Sequence, residues 1–409
     1  MPNTKPIWGR IATLGALGFL ALASYGFVRP AVESMFLGSY GSAYLPYVWI
    51  AVGGAVLLVV AVYNHFAKTT HPAILFGAAT VVSALSLVAL LGARHAGVRG
   101  ADFVLYIWKD VYIVVLVEVF WTYANMIVPV KTARWLYGGF LLCGTVGSVA
   151  AELTVGVIAE RWGTMTALTM VLPLFVVLAV VCGFAARAFP IEEVPEKREA
   201  KPGVLSAFSV LRSSRYVMIL LALVAIVQVA ITLVDYQFNH EVAEAFTDQD
   251  RRTQVIGQIY ATINIAAFAL QLGCGLVLRY VGVPITLLAL PVILGATVLV
   301  GMLSPRFLTT AIAKVVSKAF DYSLFRAAKE ILYIPLTTDE KTRGKAVVDI
   351  FGYRVAKAGA SLLILVVLGA GAYGVGPAIL VCAVIWFALT RILVQKHVKL
   401  TVDTSDAPR

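Results

Sequence analysis

Charge is what this chain has least of. Only 13% of its 409 residues are Asp, Glu, Lys or Arg, while 60% are hydrophobic. A soluble domain carries about a quarter charged residues, so a water-soluble globular fold is excluded. Length is then better counted in membrane spans of about 20 residues each. Cysteine is scarce too: Cys143, Cys182, Cys274 and Cys382 stand singly in apolar runs with no CxxC spacing. That excludes a thiolate zinc site and a disulfide framework. The five histidines show no metal spacing, and no metal or cofactor is expected. No GxxxxGK[ST] is present, which excludes ATP hydrolysis of the P-loop kind. No HExxH, Ser/His or paired-carboxylate constellation points to an enzyme.

What is present is apolar length and an excess of basic residues. The net charge of +11 would suggest nucleic acid in a soluble chain. In a chain this apolar it reads as basic cytoplasmic loops, and no nucleic-acid partner is expected. Apolar runs fall near 10–29, 43–66, 72–93, 103–128, 134–159, 164–188, 215–238, 253–278, 281–303, 306–335, 345–370 and 374–396. Their lengths predict twelve transmembrane helices. Arg29-Pro30, His71-Pro72, Val128-Pro129 and Ser304-Pro305 punctuate them. The run Ile11 to Val28 is too long for a signal peptide and lacks an A-x-A end, so it reads as a retained span.

The stretch PIEEVPEKREAKPG, Pro190 to Gly203, divides the spans six and six. The expected organisation is an N-terminal six-helix half over 1–189, a cytoplasmic linker over 190–214, a C-terminal half over 215–400 and a cytoplasmic tail over 401–409. Lys5, Lys68, Lys131, the linker, Lys341, Arg343, Lys345, Lys396 and Lys399 put most loop cations on one side, so both termini are expected in the cytoplasm. At an offset of 210 residues Lys131-Thr132 falls on Lys341-Thr342, and Val32 and Phe36 fall on Val242 and Phe246. Two related halves around a midplane site form the major-facilitator plan, so the fold class expected is an all-α membrane protein of that kind. A monomer surrounded by lipid is expected.

The charges inside the spans are the candidate site. Each costs about 2.5–3.5 kcal/mol at the bilayer centre on insertion scales, and is kept where it pairs or faces water. In the tenth span Lys314, Lys318, Asp321 and Lys329 share an arc of about 80° at helical spacing. Lys318 and Asp321 stand i,i+3, and Arg326 and Glu330 stand i,i+4. The eleventh span adds Asp349, Arg354 and Lys357. In the fourth span Asp110, Glu118, Trp121 and Asn125 share a similar arc, and Glu152 is a further acid in the fifth. A cation excess on one lining face attracts an anion. The substrate-binding candidates are Lys329, Lys318, Lys314, Arg354, Lys357, Trp121 and Asn125. The gating or proton-coupling candidates are Glu118, Asp110, Asp321, Glu330 and Asp349. Tyr236, Gln258, Asn264 and Gln271 could meet an apolar or ring portion of a solute. The competing structural reading is that ion pairs lock helices together, and that Lys314 and Lys357 snorkel to the interface. Gly138, Gly139, Gly144 and Gly147 read as a small-residue packing seam.

Lys329 to Leu336, KEILYIPL, resembles the K-E-[MI]-x-Y-I-P-L signature of the nucleotide translocases, the ATP/ADP exchangers of plastids and obligate intracellular bacteria. Gly344-Lys345-Ala346, Asp349 and Lys357-Ala-Gly359 resemble that family's GKA and D…GKSG. Phe120-Trp121-Thr-Tyr-Ala124-Asn125 resembles FWxxAN, Arg134-Trp-Leu-Tyr137-Gly138 resembles the start of its next helix, and Asp235-Tyr236-Gln237-Phe238 resembles D-Y-x-F. The resemblance implies a twelve-helix exchanger of ATP against ADP in a bacterial inner membrane. Lys329 would contact phosphate, and Glu330 and Asp349 would balance or gate it. The first span departs from the family's R-x-x-K-D: it reads Arg29-Pro-Ala-Val32-Glu33, with Val32 at the expected lysine. Two alternatives stay open: a proton-coupled symporter or exporter of another solute, with Glu118, Asp110 or Glu152 carrying the proton, and a lipid-handling or sensor protein that transports nothing.

Overall fold

The computed structural model describes residues 7–67, 70–128, 130–189, 214–304, 307–337, 340, 344–345, 348–369 and 375–405. The expected linker stretch 190–213, Lys5, Lys68 and the connection Lys341 to Arg343 lie outside the described residues, as do the side chains of Lys131, Arg134, Asp349 and Arg354. All regular structure among the described residues is helical. In chain order the α-helices are α1 (Ile7–Tyr40), α2 (Leu45–Phe66), α3 (Pro72–His95), α4 (Ala101–Ile127), α5 (Val130–Trp162), α6 (Thr164–Thr169) and α7 (Val171–Ala188). There follow α8 (Arg215–Ala245), α9 (Gln249–Tyr280), α10 (Val283–Leu303), α11 (Phe307–Phe320), α12 (Arg326–Leu332), α13 (Ala356–Gly369) and α14 (Gly376–Ser405). A π-helical turn, Asp321–Phe325, joins α11 to α12, and a second, Val348–Val355, leads into α13.

Among the described residues, nine helical segments are long and apolar enough to cross a membrane. The expected spans outside that set are 103–128, 306–335 and 345–370. They fall on α4, on α11 with α12, and on the π turn with α13, where several of the intramembrane charges lie. Burial is inverted relative to a soluble protein. Leu58, Leu85, Val180, Leu272 and Leu303 are each more than 60% exposed, while Glu33, Lys109, Glu152, Lys314 and Lys329 are under 5% exposed. An apolar exterior suits a hydrocarbon solvent, and helices leave no backbone polar group to satisfy there. The chain is an integral membrane protein.

The chain forms two compact units. The first contains 1–41, 51–196 and 246–264, and the second 42–50, 197–245 and 265–409. The first is built on α1 lying along α5. A Cβ on Gly147 would stand 2.4 Å from the Phe19 carbonyl oxygen, and one on Gly26 would stand 2.7 Å from that of Ser148. Backbones approach this closely only where side chains are absent. Gly138 and Gly139 have open space instead, so the seam begins lower on α5 than the sequence suggested. The second unit is built on α8, which packs against α11, α13, α14 and the second π turn. There a Cβ on Gly352 would meet Val224 at 2.8 Å, and the Tyr216 hydroxyl donates to the Leu332 carbonyl at 2.8 Å.

Two helix junctions need glycine. Gly163, before α6, and Gly282, before α10, hold φ of 88° and 84°, a region costly for a residue with a Cβ. At α3 the chain starts differently. Pro72 occupies the first turn, where its missing N–H costs nothing. The His71 Nδ1 accepts from the Ala73 amide at 3.2 Å, and burial holds this imidazole below its ordinary pKa, in the neutral form that can accept.

Candidate functional site

In the second unit, α8 and α11 bring three charges together. Lys314 and Lys318, one turn apart on α11, both reach Asp235 of α8, at 2.5 and 2.9 Å. Lys314 is 1% exposed, so it does not snorkel. Its ammonium also lies 5.0 Å from the centre of the Phe238 ring. Two ammonium groups thus converge on one carboxylate. Buried charges of this kind persist only with partners of opposite sign and good geometry. The i,i+3 partner expected for Lys318 is Asp321. Asp235 on the neighbouring helix takes that place, and Asp321 accepts from the Gln228 amide at 3.5 Å. The reason is reach: a lysine ammonium meets a carboxylate on a facing helix more directly than one following on its own helix, where the chain has turned into π geometry. A cavity in the same unit is lined by Tyr236, Gln237, His240, Glu241, Met302 and Thr310, without Asp235, Lys314 or Lys318.

Lys329, two turns beyond Asp321, is buried. Its ammonium lies 3.4 Å from the Tyr353 hydroxyl and 5.0 Å from that ring's centre. Tyr353 sits on the second π turn, so both π turns supply residues to this side of the unit. Single π turns inside α-helices occur frequently at functional sites, because one extra residue re-aims the side chains that follow. Lys357 is half-buried over the Trp49 ring at 5.5 Å. Asp349 and Arg354 lie on the π turn, with their side chains outside the described residues. Glu330 is exposed and pairs with Lys345 at 2.6 Å, where the sequence suggested Arg326. Lys345 also lies 5.8 Å from the Tyr333 ring centre.

The first unit holds its own charge network. Glu33 of α1 pairs with Arg29 at 3.2 Å and with Lys109 of α4 at 3.4 Å, and it accepts from the Tyr260 hydroxyl of α9 at 2.8 Å. Lys109 also pairs with Asp110 at 2.9 Å, and Tyr25 donates to that carboxylate at 3.2 Å. Arg29 stacks on the Tyr260 ring at 3.6 Å. The arc read on α4 is therefore divided. Asp110 belongs to this network, and Glu118 is exposed. Trp121 and Asn125 meet Tyr137 of α5, by an edge contact at 5.3 Å and a hydrogen bond at 2.5 Å. Glu152 forms no ion pair among the described residues. It accepts from Ser148 at 3.0 Å and, on both carboxylate oxygens, from the Asn264 amide at 2.9 Å.

Asp235 is the residue that reading along the chain missed as a site member. Its signal was there: two lysines on one helical arc in a bilayer require a carboxylate, and Asp235 is the acid of the adjacent half-span. Glu33 was visible only as a departure from a pattern. Its role as partner to Lys109 depends on two helices meeting.

A helical membrane protein with a buried charge cluster in each of two units is the class that the fold and these sites define. The fold agrees with solved transporters: a mutant of the nucleoside transporter NupG superposes with a TM-score of 0.68 at 12% identity, covering 95% of this chain and 99% of that one. A bacterial homologue of the iron transporter ferroportin gives 0.68 at 11% identity, covering 96% and 98%. The family described as TLC ATP/ADP transporter is matched over residues 102–398, well over half of the chain, and the chain belongs to that family. Among individual relatives, ADP,ATP carrier protein 2, chloroplastic, of Arabidopsis thaliana is 26% identical over 320 residues, 68% of this chain and 51% of the relative. ADP,ATP carrier protein 1 of Rickettsia typhi is 26% identical over 282 residues, 60% and 56% of the two chains. That of Chlamydia trachomatis is 26% identical over 333 residues, 70% and 62%. The chain spans about half the length of the first two of these relatives.

Proposed function

We propose that this protein is a secondary transporter that exchanges an anionic phosphorylated solute, a nucleotide of the ATP/ADP kind, by alternating access. Twelve membrane-spanning helices in two six-helix halves, 1–189 and 215–400, would carry it, with both termini in the cytoplasm of a bacterium and the spans in its inner membrane. The observation that carries this reading is the convergence of Lys314 and Lys318 on the single carboxylate of Asp235. An anionic ligand offers such ammonium groups a second partner at low desolvation cost. Membership of the TLC ATP/ADP transporter family supports the nucleotide class. Lys329 is the phosphate contact in this reading. Arg354 and Lys357 extend the basic face, and Asp321, Asp349 and Glu330 balance or gate it. Trp121 and Asn125 are the candidate solute contacts of the first unit.

Purified protein in liposomes tests this. Vesicles loaded with ADP are expected to take up labelled ATP at least tenfold faster than empty vesicles, and Lys329→Gln is expected to abolish the difference. Equal uptake into loaded and empty vesicles overturns the exchange reading.

A further inference from the structure

The first unit contains two buried glutamates in opposite circumstances. Glu33, 4% exposed, has two cations and a phenol around it. Glu152, 2% exposed, has only neutral donors: the Ser148 hydroxyl and the Asn264 amide. Among the described residues no lysine or arginine nitrogen reaches it at ion-pair distance. The charged group that faces it is Arg29 of α1, which pairs with Glu33 at 3.2 Å and stacks on Tyr260. Lys109 of α4 completes the partners of Glu33, and α9 presents the neutral Asn264 to Glu152. A buried carboxylate that forms no ion pair leaves a proton as the one positive partner it can still take.

Glu152 also sits where a proton would have a mechanical effect. The 249–264 stretch of α9 is held to the rest of the unit through polar contacts. The Arg252 guanidinium donates to the Ser34 carbonyl at 2.8 Å, and the Asp250 carboxylate accepts from the Thr164 amide at 2.7 Å. The Gln254 amide donates to Glu160 at 2.5 Å, and Tyr260 donates to Glu33. Asn264 donating to Glu152 closes the series. Between Asn264 and Gln254 the backbones touch: a Cβ on Gly257 would stand 2.5 Å from the Glu152 carbonyl oxygen. Val255, Ile256, Tyr260, Ala261 and Ile263 of this stretch are buried as well, so the hydrogen bonds add to an apolar contact, and losing the one to Glu152 loosens the stretch without releasing it. Only an ionised Glu152 can accept the Asn264 amide on both oxygens at once. A proton occupies one oxygen and turns it into a donor facing a donor.

We infer that Glu152 is a proton-binding site that controls how tightly residues 249–264 of α9 are held to α5. The inference deepens the transporter reading by assigning that transporter a regulating ligand, the proton. It is tested without any nucleotide, so its failure and the failure of nucleotide exchange are separable.

The test is hydrogen–deuterium exchange of the purified full chain across pH 5 to 8.5, corrected for the intrinsic pH dependence of amide exchange. Peptides covering 249–264 are expected to exchange faster as pH falls, by up to about tenfold per pH unit, the slope set by one proton. In Glu152→Gln they should exchange at the low-pH rate throughout, with no pH dependence. Asn264→Leu, which keeps the acid and removes the donors that tie it to α9, should likewise exchange fast with no pH dependence, and it serves as the second variant should Glu152→Gln fold poorly. A pH response that survives unchanged in either variant, or none in the unaltered protein, overturns the assignment.

Discussion

At the scale of single residues, the energetics turn on how many partners a buried charge keeps. Asp235 serves two lysines, so its loss takes a carboxylate from both, whereas loss of Lys314 leaves Asp235 with Lys318. Breaking a buried pair by removing one partner costs about 3–5 kcal/mol, because the remaining charge is left uncompensated. Asp235→Asn is therefore expected to lower the melting temperature of detergent-purified protein markedly more than Lys314→Met does. A larger loss from the lysine variant would show that Asp235 is stabilised by something other than the two ammonium groups. The pair Lys345–Glu330 is the contrast. Both side chains are 46% exposed, and exposed pairs are worth about 0–1 kcal/mol. Lys345→Ala should leave the same melting curve almost unmoved.

At the scale of helices, the α1–α5 seam depends on missing side chains. The fit is tightest at Gly147, where even a methyl group would run into the Phe19 carbonyl, and absent at Gly138 and Gly139. Overpacking of this kind costs about 1–3 kcal/mol. Gly147→Ala is expected to destabilise the protein in detergent, while Gly138→Ala is neutral in the same assay. A neutral Gly147→Ala would mean that α1 and α5 can separate without penalty. The π turns act at this scale as well. Each occurs in a charged span, and each shifts the register of the residues behind it. Lys329, which follows the first turn, meets Tyr353 within the second, while Lys318, ahead of both, pairs with Asp235 on the facing helix.

At the scale of the whole molecule, the apolar exterior and the buried charge together make the chain a membrane protein with polar work to do inside. The orientation proposed from the basic loops makes a direct prediction. In a background lacking Cys143, Cys182, Cys274 and Cys382, a cysteine placed in 190–213 should be labelled by an impermeant maleimide only in inside-out vesicles. One placed at Arg99, in the exposed connection between α3 and α4, should be labelled from outside in intact cells. The opposite pattern would reverse the topology.

The helical, membrane-embedded character was legible in the sequence because span length and hydropathy are local properties: nine segments meet those criteria among the described residues. Membership of the family was legible in KEILYIPL and its companions, since a motif needs no coordinates. The presence of charges inside the spans was legible too. Their partners were not. Asp235 lies 79 residues from Lys314 in sequence, and Tyr260 lies 227 from Glu33. Pattern on a single helix nominated Asp321 and Arg326, neighbours along the chain. The tertiary structure chose residues on facing helices, because a charge in a low-dielectric interior pairs with whatever packing brings within reach, and packing between helices is a property no single helix contains.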